Sequence, residues 1–388
     1  MIIPIQYNVR YLRARWTGTL ITAVTFGLVV AVFVIVMALA QGLDRAFVTS
    51  GDPLNLLVMR PGVQSEMQSF MELEQIQIIE TLDGIAKGAD GKAIAIPELL
   101  VVVNKPKIPD GDPSNIQIRG TGSQAFEIRP QVKVVEGRMF EPGLREIIVS
   151  HLVAKRFQGF KLGDKPRLGK GEWTVVGIFD AAGSAYDSEV WADQRELSEE
   201  FDRGGGSSTI VVRATDGAAA ASLARVVDKD VRLPLEVKTE ADYYAEQTAS
   251  SAPLKAFGTF LAVIMSIGAC FAGMNTMYGN VASRVKEIGT LRVLGYTPFS
   301  IVLCFVFESI LLALIGGLFG CLAAIPMNWV TTGTTNFQTF SEVVFNFAVT
   351  PKLMGIALLF AVAMGMIGGL LPAVSAARKP IVDCLSKV

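Results

Sequence analysis

The sequence has 388 residues, of which 51% are hydrophobic and 18% are charged, and its mean hydropathy is +0.43. This composition is too apolar for an average soluble protein and too charged for a protein made only of membrane spans. It therefore favours membrane spans joined to a sizeable soluble domain. The net charge of −1 provides no field that would favour nucleic acid as a partner. The single histidine, His151, excludes a histidine-rich metal site and a Ser-His-Asp hydrolase centred elsewhere.

Four apolar stretches are each long enough to cross a membrane, which takes about 20 residues. We predict spans at residues 16–43, 253–281, 299–330 and 351–377. The first stretch carries no charged residue, and its apolar core is too long for a cleaved signal peptide, so an uncleaved span is predicted. Glycines in the last two stretches either permit close helix packing or reflect the frequency of glycine in membrane helices. They are Gly316, Gly317, Gly320, Gly365, Gly368 and Gly369.

Basic residues predict the orientation of these spans, because short cytoplasmic segments are enriched in lysine and arginine. Segment 1–15, the connector 282–298 and the tail 378–388 each carry several basic residues, whereas the loop 331–350 has one acidic residue and no base. Both termini and the connector are therefore predicted to be cytoplasmic. Residues 44–252 and the 331–350 loop are then predicted to be extracytoplasmic.

The long polar segment 44–252 alternates between strand and helix patterns. A strand–helix–strand pattern occurs within 44–110 and again within 206–252, which is typical of a split ferredoxin-like lobe. The intervening residues 111–205 are rich in strand patterns and turns and predict an inserted, mainly β lobe. The predicted fold class is thus an α-helical membrane protein with four transmembrane helices and an α+β, two-lobed extracytoplasmic domain. None of the four cysteines falls in this domain, so no disulfide framework is expected there.

The same domain shows no catalytic constellation. The stretch "GDKPRLGKG" (163–171) has glycines one residue too far apart for a phosphate-binding loop, and a turn between strands is predicted instead. His151 is predicted at the start of a short helix, in a surface or capping role, and Ser184 has no histidine partner in register. Four acidic residues could form a metal cluster, but their irregular spacing favours a solvated edge. They are Asp180, Asp187, Glu189 and Asp193. We therefore predict no catalytic residue, no metal site and no cofactor on this chain, which is not expected to be an enzyme.

The connector "ASRVKEIGTLRVLGYTP" (282–298) is more charged than a simple turn between two spans requires. Its pattern predicts a short helix lying along the membrane surface, which Gly295 and Pro298 end. Its charged residues are Arg284, Lys286, Glu287 and Arg292. In the following span, Glu308 is costly to place in lipid, so we predict a polar contact within the helix bundle or at a dimer interface. The alternative is that Glu308 lies near enough to the surface to reach lipid headgroups.

The region from Asn275 to Gly320 resembles the signature of the MacB/FtsX/lipoprotein-release superfamily of ABC transporter permeases, the mechanotransmission type. The matching residues are Asn275, Met277, Val281, Arg284, Glu287, Ile288, Gly289, Arg292, Gly295, Ile301, Glu308, Gly316 and Gly320. The end of the chain is similar to the closing motif of the family through Gly369, Pro372, Ala373, Ala376, Ala377, Arg378, Pro380 and Leu385. Residues 1–15 resemble its amphipathic entry helix, and the middle of the chain resembles its two-lobed periplasmic domain.

The resemblance implies the permease subunit of an ATP-driven ABC transporter in the bacterial cytoplasmic (inner) membrane. The implied partners are a cytoplasmic ATPase, which carries ATP and Mg²⁺, and a second permease copy in a homodimer or heterodimer. Membrane lipid and a periplasmic membrane-fusion adaptor are further candidate partners. No Walker A motif occurs in the sequence, so the ATPase is expected on a separate chain.

The implied function is the export or extraction of a hydrophobic substrate, of which lipid, lipoprotein, peptide and drug are candidates; the sequence does not identify substrate-binding residues. The alternative is an FtsX-like signal transmitter that regulates an extracytoplasmic partner without transporting a substrate. Either function implies that the connector is a coupling helix that docks on the ATPase.

In that role Ile288 and Leu291 would form an apolar anchor, and Gly289 would permit close backbone approach. Arg284, Lys286 and Glu287 would form the polar rim of this surface, with Arg292 on the same face as Ile288. The alternative is a solvated loop that serves only the positive-inside bias.

Overall fold

The structure is a computed structural model that describes residues 10, 16–89, 91–248, 252–336 and 338–381. The predicted entry helix at 1–15 therefore lies outside the described residues apart from Arg10, as does the end of the predicted tail at 382–388. The chain divides into two compact units. The helical unit comprises Met1–Gln41, Pro253–Val330 and Phe347–Val388, and the sheet unit comprises Gly42–Ala252 and Thr331–Asn346.

The secondary structure alternates between long helices and a strand-rich segment. In chain order the helices are α1 (Trp16–Ser50), α2 (Leu73–Glu80), α3 (Ala125–Ile128), α4 (His151–Arg156), α5 (Gln194–Glu200), α6 (Gly217–Lys229), α7 (Glu240–Thr248), α8 (Ala252–Ser283), α9 (Val285–Val293), α10 (Pro298–Ala324) and α11 (Pro351–Arg378). The strands are β1 (Asn55–Met59), β2 (Ala95–Pro106), β3 (Pro113–Thr121), β4 (Lys133–Gly137), β5 (Glu146–Ser150), β6 (Arg167–Leu168), β7 (Gly171–Glu172), β8 (Thr174–Asp180), β9 (Glu189–Asp193), β10 (Thr209–Arg213), β11 (Glu236–Thr239), β12 (Thr331–Thr335) and β13 (Glu342–Asn346).

Within the described residues, four helices, α1, α8, α10 and α11, are long and apolar enough to cross a membrane. Local sequence fixes where two of them begin. The Thr297 hydroxyl accepts a hydrogen bond from Ser300 N (3.3 Å), and Pro298 occupies the first turn of α10. Thr350 and Pro351 repeat this arrangement at the start of α11, where Thr350 accepts from Leu353 N (3.2 Å). A capping hydroxyl followed by proline is a strong start signal, because proline lacks the N–H that would otherwise need a partner.

Glycines bring the helices of the helical unit into close contact. A Cβ atom at Gly316 would overlap the carbonyl oxygen of Ala23 on α1, and one at Gly320 would overlap the carbonyl oxygen of Gly27. On α11, a Cβ atom at Gly365 would lie 3.0 Å from the Ser309 carbonyl oxygen. These positions confirm that close packing, and not only the general frequency of glycine in spans, accounts for these glycines.

The sheet unit is built on a sheet with the strand order β11-β1-β10-β2-β3-β9-β5-β8-β4 among the described residues. Most neighbours are antiparallel, while β3 pairs with β9, and β5 with β8, in parallel. One hydrophobic core lies under α2 and α6 and includes Leu56, Ile76, Ile210 and Leu223; a second includes Ile118, Ile147, Trp173, Val190 and Leu197. The long strands β2 and β3 pair over Leu99–Pro106, so the two predicted lobes share a continuous sheet.

The segment predicted as a loop between the last two spans contains a β-hairpin, β12–β13, which belongs to the sheet unit. Glu342, the first residue of β13, is buried and forms an ion pair with Arg156. The Ser114 hydroxyl also donates to Glu342 (2.5 Å), and Val344 N donates to the Ser188 hydroxyl (2.7 Å). The acidic residue that marked this segment as non-cytoplasmic is therefore an anchor of the hairpin on the sheet.

Candidate functional site

The connector between the second and third spans forms a separate helix, α9, which begins directly after α8. Gly295 ends it with a φ of 92°, a left-handed conformation that glycine adopts without strain, and Tyr296 N donates to Leu291 O (3.1 Å). The alternative of a wholly solvated loop is therefore wrong, because the segment is helical and one of its faces is buried.

Arg284, immediately before α9, points into the helical unit. Its side chain is 2% exposed, and its Nη1 donates to Oε2 of Glu308 at 2.7 Å. Its Nε also donates to Glu287 (3.2 Å), and its guanidinium lies over the ring of Phe305. The prediction that Arg284 belongs to an exposed rim is therefore wrong, because this arginine neutralises a carboxylate within the bundle.

Glu308 on α10 is 0% exposed and forms an ion pair with Arg284, the residue before α9. The predicted polar contact within the helix bundle is therefore confirmed. Contact with lipid headgroups, the alternative, does not fit a fully buried carboxylate. Its second oxygen, Oε1, has no hydrogen-bond partner among the described residues. The hydrogen-bonding capacity of the Glu308 carboxylate is therefore only partly satisfied. Its negative charge in the bundle is compensated by Arg284.

Two further contacts attach α9 to the bundle. Ile288 is 3% exposed and packs in a cluster that includes Met277, Phe305 and Ala373. Arg292 Nη1 donates to Ala377 O (2.7 Å), close to the carboxyl end of α11, where a positive charge also stabilises the helix dipole. Ile288 is therefore not the partner-facing anchor that we predicted, because its own bundle already fills the space around it.

The opposite face of α9 is open. Lys286 and Glu287 are exposed, and Val293 and Leu294 are 63% and 66% exposed. Of the other predicted coupling residues, Leu291 is half-buried and Gly289 is buried. The exposed face is defined by Lys286, Glu287, Thr290, Val293 and Leu294. Lys286 and Glu287 were predicted for the coupling surface, whereas Val293 and Leu294 were missed, although they are apolar residues in a charged segment.

The sheet unit contains a buried ion-pair network that the sequence analysis missed. Arg119 on β3 binds three carboxylates, those of Glu66 (2.9 Å), Glu98 (2.6 Å) and Glu189 (2.8 Å). Arg129 binds Glu98 at 2.5 Å and stacks on Tyr186. A charged residue inside an apolar strand pattern was the available signal, in "IPELLVVV" for Glu98 and "IQIRG" for Arg119.

The network gives its carboxyl groups different pKa values. Burial opposes ionisation of Glu98, but Arg129 and Arg119 outweigh it and lower the pKa of Glu98 to about 2. Burial dominates at Glu66 and raises its pKa, although Arg119 partly offsets the effect. Of these two carboxyl groups, Glu66 therefore holds a proton more readily than Glu98.

The acidic residues predicted to form a solvated edge are mostly buried, so that prediction is wrong. Glu189 is part of the Arg119 network, and Asp193 caps α5 by accepting from Arg195 N and Glu196 N (3.1 Å each). Asp187 is 1% exposed, whereas Asp180 is half-exposed. Both lie beside His151, which is the first residue of α4; its side chain is 28% exposed.

The glycine-rich stretch 163–171 contains the turn of a short hairpin, β6–β7, so the predicted strand turn is confirmed. Glu200 accepts hydrogen bonds from Gly171 N (2.7 Å) and Lys170 N, which fills this turn with a carboxylate.

These features together define a class of protein: a membrane protein with candidate spans, a large sheet unit, and a short helix between two spans that is attached to the bundle on one face. A family model for the MacB-like periplasmic core domain matches residues 19–229, and a model for the FtsX-like permease C-terminal domain matches residues 259–381. The chain therefore belongs to the MacB/FtsX family of ABC transporter permeases.

Similar proteins include the macrolide export ATP-binding/permease protein MacB of Hahella chejuensis, which is 26% identical over 70% of this chain and 43% of its own length. An uncharacterised ABC transporter permease of Methanocaldococcus jannaschii is 26% identical over 58% of this chain and 57% of its own length. The chain thus spans about half the length of these relatives. Among solved structures, the extracellular domain of the ABC-type transporter YknZ from Gram-positive bacteria is 17% identical, with a TM-score of 0.36 over 48% of this chain and 100% of that domain.

Proposed function

We propose that the chain is the permease subunit of an ATP-driven ABC exporter, in which a separate cytoplasmic ATPase binds ATP and Mg²⁺ and moves the helical unit through α9. The observation that carries this proposal is the two-sided character of α9. One face is fixed to α10 by Arg284–Glu308 and to α11 by Arg292–Ala377. The other face is exposed. A helix held in this way can pass a displacement to two spans at once.

The exposed face of α9 is the proposed docking surface for the ATPase. Val293 and Leu294 supply an apolar centre, and Lys286 and Glu287 supply charges of both signs beside it. Apolar centres with polar surroundings are typical of protein interfaces. This assignment replaces the predicted anchor residues Ile288 and Leu291 with the neighbouring Val293 and Leu294. It retains Lys286 and Glu287, while Arg284 and Arg292 act by holding α9 in place and Gly289 is buried.

The remaining parts of the proposal follow the charge pattern and the family. The chain lies in a bacterial inner membrane with both termini cytoplasmic, and two copies, or one copy and a paralogue, form the permease. The match to the MacB-like core domain over residues 19–229 favours export of a hydrophobic substrate, whether lipid, lipoprotein, peptide or drug, over FtsX-like signalling. A membrane-fusion adaptor is the proposed extracytoplasmic partner.

We also propose that the first lobe of the sheet unit is split ferredoxin-like. Its four strands lie in the order β11-β1-β10-β2, and α2 and α6 connect β1 to β2 and β10 to β11. This is the antiparallel arrangement with two crossover helices that such a fold requires. The insertion, which runs from β3 to α5, extends the same sheet from its β2 edge.

The test of the docking surface is co-purification of ATPase activity. The chain is tagged and purified from its native membranes, and vanadate-sensitive ATP hydrolysis in the purified complex is measured. Leu294→Asp should lose most of this activity, while the permease should still reach the membrane and elute normally in size-exclusion chromatography.

Val231→Asp is a matched control, because Val231 is 97% exposed in the sheet unit and the substitution is of the same kind. Equal ATPase recovery with the Leu294→Asp and Val231→Asp variants would remove α9 from the proposed docking role.

A further inference from the structure

Three chemistry-bearing side chains meet at one edge of the sheet. Strands β5 and β8 are parallel neighbours, so their carboxyl ends lie side by side. His151 directly follows β5, and Asp180 is the last residue of β8. Asp187 lies two residues before β9, the antiparallel neighbour of β5 on its other side. The fold therefore places an imidazole and two carboxylates together from three separate parts of the chain.

The separations between these groups are unlike those of hydrogen bonds. His151 Nδ1 lies 3.6 Å from Oδ1 of Asp187 and 3.8 Å from Oδ2 of Asp180. Nδ1 is buried and has no hydrogen-bond partner in the described part of the chain. The three potential ligand atoms all lie within 4.8 Å of one another. Two ligand atoms that are each about 2.1 Å from a tetrahedral ion lie roughly 3.4 Å apart, so these separations are close to those of a metal site.

Backbone groups hold both carboxylates in place. Asp187 accepts from Ala181 N (2.8 Å) and Gly183 N (2.7 Å), and Asp180 accepts from Ala182 N (2.7 Å) through Oδ1, the oxygen that does not face His151. Ala182 and Gly183 both have left-handed φ values, 55° and 77°, so the chain turns back over the site. Hydrogen bonds of this kind orient carboxylate ligands in metal sites.

We propose that His151 Nδ1, Asp180 Oδ2 and Asp187 Oδ1 bind a divalent transition-metal ion, with Zn²⁺ the best match. Zinc binds imidazole nitrogen together with carboxylate oxygen, and three protein ligands with one water complete its tetrahedral shell. Mg²⁺ and Ca²⁺ prefer oxygen ligands alone and take six or more. Asp180 is half-exposed, so the fourth coordination position faces the surface, where water completes the shell. The ion would link the ends of β5 and β8 to the segment before β9.

The test uses the full-length chain in detergent, carrying an affinity tag without histidine and stripped with a chelator. Titration with ZnCl₂ should give one ion per chain by calorimetry and by elemental analysis. Co²⁺ in its place should give visible ligand-field absorption. His151→Ala should weaken binding by more than the roughly 10–100-fold that loss of an outer-shell partner costs.

Asp180→Asn should also weaken binding, and the substitution should leave the fold intact because the side chain is half-exposed. Asp110→Asn, an exposed acidic residue on another loop, is the matched control and should bind as the unmodified chain does. Because His151 is the single histidine, zinc that remains unchanged in the His151→Ala variant must lie elsewhere, for example on cysteine, and would overturn the proposal. Absence of binding at micromolar Zn²⁺ would overturn it as well.

Discussion

The pair Arg284–Glu308 places two opposite charges in the helical unit with almost no solvent contact. Removing one partner of such a pair leaves an uncompensated buried charge, which typically costs about 3–5 kcal/mol, whereas removing both is often tolerated. Glu308→Leu should therefore lower the thermal stability of the purified protein clearly, and Glu308→Gln should lower it less, because the amide oxygen can still accept from Arg284.

The double variant Arg284→Leu, Glu308→Leu should recover part of the stability lost in Glu308→Leu. Thermal unfolding of the unmodified chain, Arg284→Leu, Glu308→Leu and the double variant in one detergent forms a double-mutant cycle. Additive losses in that cycle would mean that the two side chains do not interact.

At the same scale, the pKa values of Glu98 and Glu66 are shifted in opposite directions, although both side chains are buried beside Arg119. The pKa of Glu98 is lowered to about 2, so its contribution to stability is present above its unfolded value near 4.5 and is lost as the pH falls toward 2. The pKa of Glu66 is raised, so its contribution is fully present below 4.5 and declines as the pH rises through its folded value.

From this difference we expect Glu98→Gln to destabilise the sheet unit by about 3–5 kcal/mol at pH 7, because two arginines lose their shared carboxylate. Glu66→Gln should destabilise it less than Glu98→Gln does, because burial opposes the charge of Glu66 and Arg119 still keeps Glu98 and Glu189. Amide hydrogen exchange of β2 and β3 at pH 7 measures both. Equal loss of protection in the two variants would contradict this difference between Glu98 and Glu66.

At the scale of elements, the hairpin β12–β13 depends on contacts with the sheet more than on its own sequence. A two-stranded hairpin alone is marginally stable in water, so the anchors of Glu342 to Arg156 and Ser114 decide whether it stays formed. Glu342→Gln should therefore raise amide exchange in Thr331–Asn346 by roughly tenfold or more, the effect of losing about 1.5–3 kcal/mol.

Glu141→Gln is the matched control for the hairpin, because Glu141 is exposed and pairs only loosely with Arg138 at 3.6 Å. Exchange in the hairpin should be unchanged in that variant. If the two variants behave alike, Glu342 is not the anchor.

At the scale of the whole molecule, the distribution of basic residues predicts which segments face the cytoplasm. In a cysteine-free background, a membrane-impermeant thiol reagent added to intact cells should label a cysteine introduced at Asp112 or Gly205. It should not label one at Lys286 until the cells are opened. All three positions are exposed on the chain, so burial does not explain a difference. Labelling of Lys286→Cys in intact cells would reverse the orientation.

The apolar stretches and the local start and stop signals were readable from the sequence because they need no distant partner. An uncharged run such as 16–43 must avoid water whatever lies beside it, and Thr297–Pro298 begins a helix through its own cap. The strand and helix patterns of the first lobe were readable for the same reason, because the period of the apolar residues reports which face is buried.

Only the tertiary structure decided which charges lie inside the molecule. Arg119 meets Glu189 across 70 residues of chain, and Arg284 meets Glu308 across 24, so no local pattern pairs them. Which face of α9 is exposed was likewise set by the neighbours of Ile288 and not by the periodicity of α9 itself. His151 joins Asp180 because β5 pairs in parallel with β8, and joins Asp187 because β5 also pairs with β9. The sequence separates β5 from each of these strands by more than 20 residues.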